Sequence, residues 1–230
     1  MIKNKHINQV IQSLCEKLIN DGDLSSPRNM QTLELMNEIV CIENPIEINT
    51  ICTLKERKLS REYLKAELRW YKFGDLDAEY ISKYSSMWSK ISDEFGRVNS
   101  NYGYWAKHLT GHDDVSQFQW CINQLANDKH SRRAVITYNQ LEHKYEGVKD
   151  FPCTMYQQFY VRKNKLDSFV SMRSNDLIYG FCYDVPWFTL LQREIAQKLN
   201  IPLGNYYHHA TSLHVYKKHF KMITEIAKGK

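Results

Sequence analysis

An α+β fold is predicted by a change of period part-way along these 230 residues. In the first half, apolar residues recur at helical spacing. Further on, AVITY (134–138), MYQQFYV (155–161) and LDSFVSM (166–172) are dense in β-branched and aromatic side chains and read as strands. No internal repeat, low-complexity tract or flexible linker separates the two halves, so one domain over 1–230 is expected.

Ile7, Val10, Ile11, Leu14 and Leu18 put a helix over 6–19, and the Gly, Asp, Ser and Pro of DGDLSSPRN make 21–29 a loop. Residues 31–40 fit a strand or a short helix equally; a short apolar piece near 46–54 follows Pro45. Ser60 suits the N-cap of a helix over 61–73, with Leu64, Leu68 and Tyr71 on one face. Another helix should include 79–91, GRVNSNYGYW (96–105) reads as a turn region bearing aromatics, and Val115, Phe118, Ile122 and Leu125 mark a helix over 114–126. RKNK (162–165) is the turn between the last two strands. Pro186 suits the first turn of a helix running to about 199, and HHATSLHVY reads as a strand giving way to a final helix over 214–226.

Hydrophobic residues make up 43% and aromatics 13%, a composition that supports a packed core and argues against disorder. No apolar run reaches the roughly 20 residues of a membrane helix. MIKNKHINQVIQSLC has no secretory signature, so a cytoplasmic protein is expected. The six cysteines are scattered without a CxxC pair, which supports neither a zinc site nor a disulfide framework. A net charge of +5 keeps the surface solvated or draws anionic ligands. With no basic arm and no nucleic-acid motif, a small phosphate fits better than a duplex.

Three segments stand in a telling order: PC (152–153), RSND (173–176) with Gly180 and a polar residue four positions later, and LHVY (213–216). In this the chain resembles the thymidylate synthase superfamily from about Arg28 to Phe220. ELRWYKFG (67–74), NSNYGYW (99–105), MRSND and SLHVYKKHF look most like its phage deoxycytidylate hydroxymethylases. The resemblance implies a large mixed β-sheet packed with helices and a homodimer formed through the sheet face. It also implies 5,10-methylenetetrahydrofolate as cosubstrate, a pyrimidine nucleoside monophosphate as substrate, and no metal, nucleic acid or membrane partner.

Under that resemblance Cys153 is the nucleophile that adds to C6 of the pyrimidine, with nearby arginines expected to lower its pKa. Arg28, Arg132, Arg133 and Arg173 would hold the phosphate, Arg132 and Arg133 reaching the neighbouring subunit's site; Ser174 matches a phosphate-side hydroxyl. Asp184 would accept from the amino group of cytosine where uracil enzymes carry asparagine; capping the helix near Pro186 is its plainer use. Glu67, on a mostly apolar helix, corresponds to the general acid/base. Asn175 resembles a polar ring contact, and Tyr102 an aromatic beside the nucleotide. His214 and Tyr216, two apart and hence on one face of a strand, match the ligands of the sugar 3′-hydroxyl. Trp88, Asp176 and Gly180 fall on the folate side. His208 and His209 point to opposite faces of an extended segment; with His214 they could look like a metal cluster, but nothing supplies the usual ligand set.

Three departures from the usual synthase pattern bear on the reaction: Thr154 follows the nucleophile in place of histidine, FCYD replaces a PFN-like run, and no synthase-like tail follows HFKMITEIAKGK. The last favours hydroxymethylation over methylation, so hydroxymethylation of dCMP is the leading expectation. The alternatives are a CMP hydroxymethylase of nucleoside-antibiotic biosynthesis, or a dUMP or dCMP methylase or hydroxymethylase, with an inactive nucleotide-binding dimer as the non-enzyme reading.

Overall fold

A mixed sheet forms the centre of the molecule. The computed structural model describes residues 1–111 and 113–229. Its strands are β1 (Ile2–Asn4), β2 (Asp23–Ser25), β3 (Thr32–Glu43), β4 (Val135–Thr137), β5 (Thr154–Arg162), β6 (Lys165–Met172), β7 (Asn175–Asp176) and β8 (Leu203–Tyr216). They lie in the order β1-β3-β8-β6-β5-β4, with β2 added to β3 and β7 to β8. β5 and β6 are antiparallel, and the turn between them is Lys163-Asn164, with φ of 50° and 56°. Two left-handed residues suit the twist of a tight hairpin, as RKNK foretold. β6 and β8 are parallel, so the chain must cross back over the sheet. Helix α7 (Phe181–Leu199) makes that crossing and sets Asp184 beside Asn175 of β7.

The other helices are α1 (Ile7–Asp21), α2 (Glu47–Thr50), α3 (Arg61–Phe73), α4 (Glu79–Ser82), α5 (Met87–Ile91), α6 (Gln117–Asn127) and α8 (Phe220–Ala227). The apolar stripe predicted for α1 is fully buried. At α3, Ser60 Oγ accepts from the Tyr63 amide at 3.1 Å, and Gly74 ends the helix at φ 64°. Rings of Trp70, Tyr71, Tyr102, Tyr138, Trp187 and Phe188 pack together beneath the sheet. Burying each contributes roughly 2–3 kcal/mol, the reserve that offsets the buried polar groups described below.

Five expectations change. Segment 31–40 resolves as strand and extends to Glu43, because β8 pairs along nearly its whole length. The 21–29 loop contains β2 and a 3-10 turn, Pro27–Asn29, with Arg28 and Asn29 left-handed at φ 53° and 61°. The helix over 79–91 breaks into α4 and α5 around Ser85 and Ser86, side chains that compete for backbone partners. Helix α7 begins five residues before Pro186, because Phe181, Cys182 and Val185 are fully buried against the sheet; Asp184 therefore lies inside it and Gly180 takes the N-cap. The final helix starts at Phe220, not 214, since His214 and Tyr216 continue the β8 pairing with β3.

Candidate active site

Cys153 ends the loop that enters β5. Its carbonyl accepts from the Arg173 amide at 2.9 Å, joining this loop to the end of β6. The Arg173 side chain strengthens that join: Nη2 donates to Phe151 O at 2.6 Å, Nε to Pro152 O at 3.2 Å, and Nη2 lies 3.7 Å from Cys153 Sγ. Burial pushes the Cys153 thiol up to about 11, although Arg173, and more weakly Arg28, pull the other way. The expectation of a lowered pKa is thus corrected: the arginines act with the expected sign, but desolvation outweighs them. Asp150, unnoticed in the sequence, anchors the other side of the loop by accepting from the Asn99 and Ser100 amides, both at 2.7 Å.

Asp184 Oδ2 accepts from Asn175 Nδ2 at 2.8 Å. Burial raises its carboxyl to about 6, opposed by the Asn175 bond and helped by nearby Asp176. Behind Asn175 stands His208, with Nε2 at 3.1 Å from Asn175 Oδ1 and Nδ1 at 2.8 Å from the Tyr206 hydroxyl. A Cβ on Gly180 would come within 2.8 Å of Asn175 Nδ2 and 3.1 Å of Asp184 Oδ2. Glycine there makes room for the Asn175–Asp184 pair.

Glu67 is buried and accepts from the Tyr63 hydroxyl at 2.6 Å; Trp88 Nε1 donates to the same hydroxyl at 2.9 Å. Burial raises the acid to about 8, with Tyr63 pulling down and Asp184 pushing up. Glu67, Asp184, Cys153 and Tyr102 therefore feel one another: Asp184 acts on the other three, and Cys153 on Tyr102. Tyr63 precedes Glu67 by one helical turn, a spacing that would have disclosed it.

Asp176 Oδ1 accepts from the Ile178 and Tyr179 amides, at 2.7 and 2.9 Å. Its Oδ2 is buried without a partner, as are Arg57 Nη2 and His219 Nε2. His214 and Tyr216 share a face of β8 with ring centres 5.3 Å apart, and His214 lies opposite Asp176 of β7. Ser174 is half-buried next to Arg173, while Arg28 is exposed in its turn. Arg132 and Arg133 are not gathered here. Both are exposed beyond β4, where their carbonyls accept from Gln158 and Trp120. Among the described residues no group of three or more His, Cys, Asp or Glu is arranged to hold a metal. Nor is any helix long and apolar enough to cross a membrane.

The thymidylate synthase family model matches residues 9–229. The chain belongs to the thymidylate synthase family. It is 32% identical over 177 residues to the deoxycytidylate 5-hydroxymethyltransferase of Enterobacteria phage T4, covering 72% of this chain and 71% of that protein. It is 28% identical over 218 residues to the deoxyuridylate hydroxymethyltransferase of Bacillus phage SP01, covering 90% of this chain and 56% of that one. Among solved structures, thermostable thymidylate synthase A from Bacillus subtilis superposes with a TM-score of 0.77 at 22% identity, over 97% of this chain and 84% of the other. That likeness establishes the family's α+β architecture for this chain.

Proposed function

We propose that this family member hydroxymethylates C5 of dCMP, taking the one-carbon unit from 5,10-methylenetetrahydrofolate and yielding 5-hydroxymethyl-dCMP. The single observation that carries the reading is Asp184, an acceptor held by Asn175 within electrostatic range of Cys153. A carboxylate at the base edge accepts from the N4 amino group of cytosine and has nothing to offer O4 of uracil. The phage T4 relative, named for deoxycytidylate, supports the same base, and both phage relatives are named for hydroxymethyl transfer.

In this reading Cys153 Sγ bonds to C6, and the electron pair released along the ring makes C5 nucleophilic. Arg173, with Ser174 and Arg28, binds phosphate; His214 and Tyr216 take the sugar hydroxyl. Tyr102 walls the nucleotide. Glu67 holds and moves a proton near C4 and C5. The folate side fits this chain's residues: the unpartnered Asp176 Oδ2, next to Gly180, is an acceptor suited to the N–H groups of a pterin, and Trp88 would supply an aromatic wall. When bound, the folate supplies a methylene unit for C5. The C5 proton is given up to a base or water in the site, water adds to the methylene carbon to complete the hydroxymethyl group, and loss of Sγ from C6 restores the ring.

The same reading makes 1–230 one catalytic domain and the active species a homodimer. Tyr156 and Phe169 are exposed on the outer sheet face, and Phe169 stacks on Tyr207 with ring centres 4.4 Å apart. Arg132 lies at the rim of that face beside Gln158, suited to reach a second subunit's phosphate site with Arg133. The test incubates the protein with methylenetetrahydrofolate and dCMP, CMP, dUMP or UMP in parallel and weighs the products. A gain of one hydroxymethyl group on dCMP is expected. Preferred turnover of dUMP or CMP, or a 5-methyl product, would overturn the assignment.

A further inference from the structure

The chain of bonds behind Asp184 has only one self-consistent direction. An ionised Asp184 only accepts, so Asn175 turns its Nδ2 toward it, at 2.8 Å. Asn175 Oδ1 is thereby left facing His208 Nε2 at 3.1 Å, which must carry the proton. In a neutral ring Nδ1 is then the acceptor, and it takes its hydrogen from the Tyr206 hydroxyl at 2.8 Å. All three supporting groups, Tyr206, His208 and Asn175, are buried, and the burial of His208 depresses its pKa to about 3, so the ring stays neutral. The second hydrogen on Asn175 Nδ2 has no acceptor among the described residues.

We propose that His208 is a specificity-determining positioning residue. By donating to Asn175 Oδ1 it fixes the amide so that Asn175 and Asp184 offer the base one N–H donor and one carboxylate acceptor. That edge complements cytosine, whose N3 accepts and whose N4 donates. Uracil presents the reverse, an N3–H donor beside an O4 acceptor. An Asn175 free to rotate would expose Oδ1 and lose the distinction. The inference rests on the cytosine-nucleotide reading above and adds the device that sets the edge's polarity.

The test compares wild type, His208→Phe and His208→Gln with dCMP and dUMP, using product mass to measure kcat/KM. Phe cannot donate to Asn175; Gln carries an N–H close to the position of Nε2. The ratio of dCMP to dUMP kcat/KM is expected to fall by about tenfold or more in His208→Phe and to recover largely in His208→Gln. A merely structural role would weaken both substrates alike, so an unchanged ratio in soluble His208→Phe would overturn the inference alone. So would a His208→Gln variant as indiscriminate as His208→Phe. Should neither variant fold, the 15N spectrum of wild-type histidines decides: a neutral Nε2–H ring at His208 is expected, and an Nδ1–H ring refutes it. Wild type inactive on dCMP would instead bring down the proposed function and this inference with it.

Discussion

Replacing Glu67 by Gln separates what the site does to stability from what it does to substrate. Burial raises this carboxyl from 4.5 to about 8. The fold therefore prefers the protonated acid. Below about pH 4.5, where the unfolded chain is protonated too, that preference carries no penalty. As pH rises the unfolded chain ionises first, and stability falls by about 1.4 kcal/mol per pH unit until the folded acid also ionises near 8. The whole window corresponds to roughly 4–5 kcal/mol, and neutral pH to roughly 3 kcal/mol. Gln never ionises, and its oxygen still accepts from Tyr63, which sits 2.6 Å from Glu67 Oε1.

The variant's new amide hydrogens add a constant offset, so the slope is the quantity to read. Urea melts of both proteins at matched pH between about 5 and 8.5 should show the variant gaining progressively on wild type. Turnover should fall by roughly 10²–10⁴-fold, the usual worth of a positioned acid or base. A stability difference that stays flat across this range would mean that Glu67 ionises in the fold like an exposed carboxylate. Its candidacy as the acid/base would go with it.

Cys153, with its thiol raised to about 11, should be alkylated slowly at neutral pH in the free protein. Site-resolved mass spectrometry should show the rate climbing about tenfold per pH unit well beyond 8; a plateau near 7 would contradict the burial argument. Gly180→Ala would drive a methyl to within 2.8 Å of Asn175 Nδ2, so dCMP turnover should drop by at least about tenfold with a stability loss of about 1–3 kcal/mol in urea melts. Asp184→Asn should move preference from dCMP toward dUMP by about a hundredfold or more in relative kcat/KM, and an unchanged preference would remove Asp184 as base reader.

The elements legible in the sequence were those whose side-chain period matched their burial. The α1 stripe, the α3 cap at Ser60 and the two-residue turn at Lys163-Asn164 needed only local chemistry. The start of α7 did not: Pro186 signals a helix start, but Phe181, Cys182 and Val185 are buried by the sheet beneath, a force with no local signature. Likewise, long-range pairing with β3 carries β8 through Tyr216. In the candidate site, the residues proposed to carry the chemistry were legible through their motifs. Of the residues that aim them, Asp150 lies three positions before Cys153 and Tyr63 one turn before Glu67, close enough for spacing to have disclosed them, whereas His208 comes from another segment and becomes visible only when the chain is folded. His208 was noticed as one of three histidines, yet its partner Asn175 lies 33 positions away.

Asp184 at about 6 and Glu67 at about 8 bracket neutrality, although both are buried carboxyls within reach of each other. Environments that split two such acids assign them opposite work: at pH 7 Asp184 is ionised and accepts, while Glu67 is protonated and donates. Arg173 cannot supply activation alone, because it is engaged with Phe151 and Pro152 and the thiol remains near 11. Bound phosphate would add negative charge and push the thiol higher still. Under the proposed reaction, proton transfer through the two acids accompanies attack on the ring. The pH profile of kcat/KM for dCMP should then be a bell, with limbs near 6 and 8. Because the phosphate of the nucleotide also titrates near about 6, the alkaline limb is the diagnostic one. Tyr63 holds Glu67 down by donating to it, so Tyr63→Phe should shift that limb upward. A hydrogen bond to a charged acceptor contributes about 1.5–3 kcal/mol, or roughly one to two pH units. An alkaline limb that stays in place in a folded Tyr63→Phe protein would assign it to another group and dissolve the division of labour between the two acids.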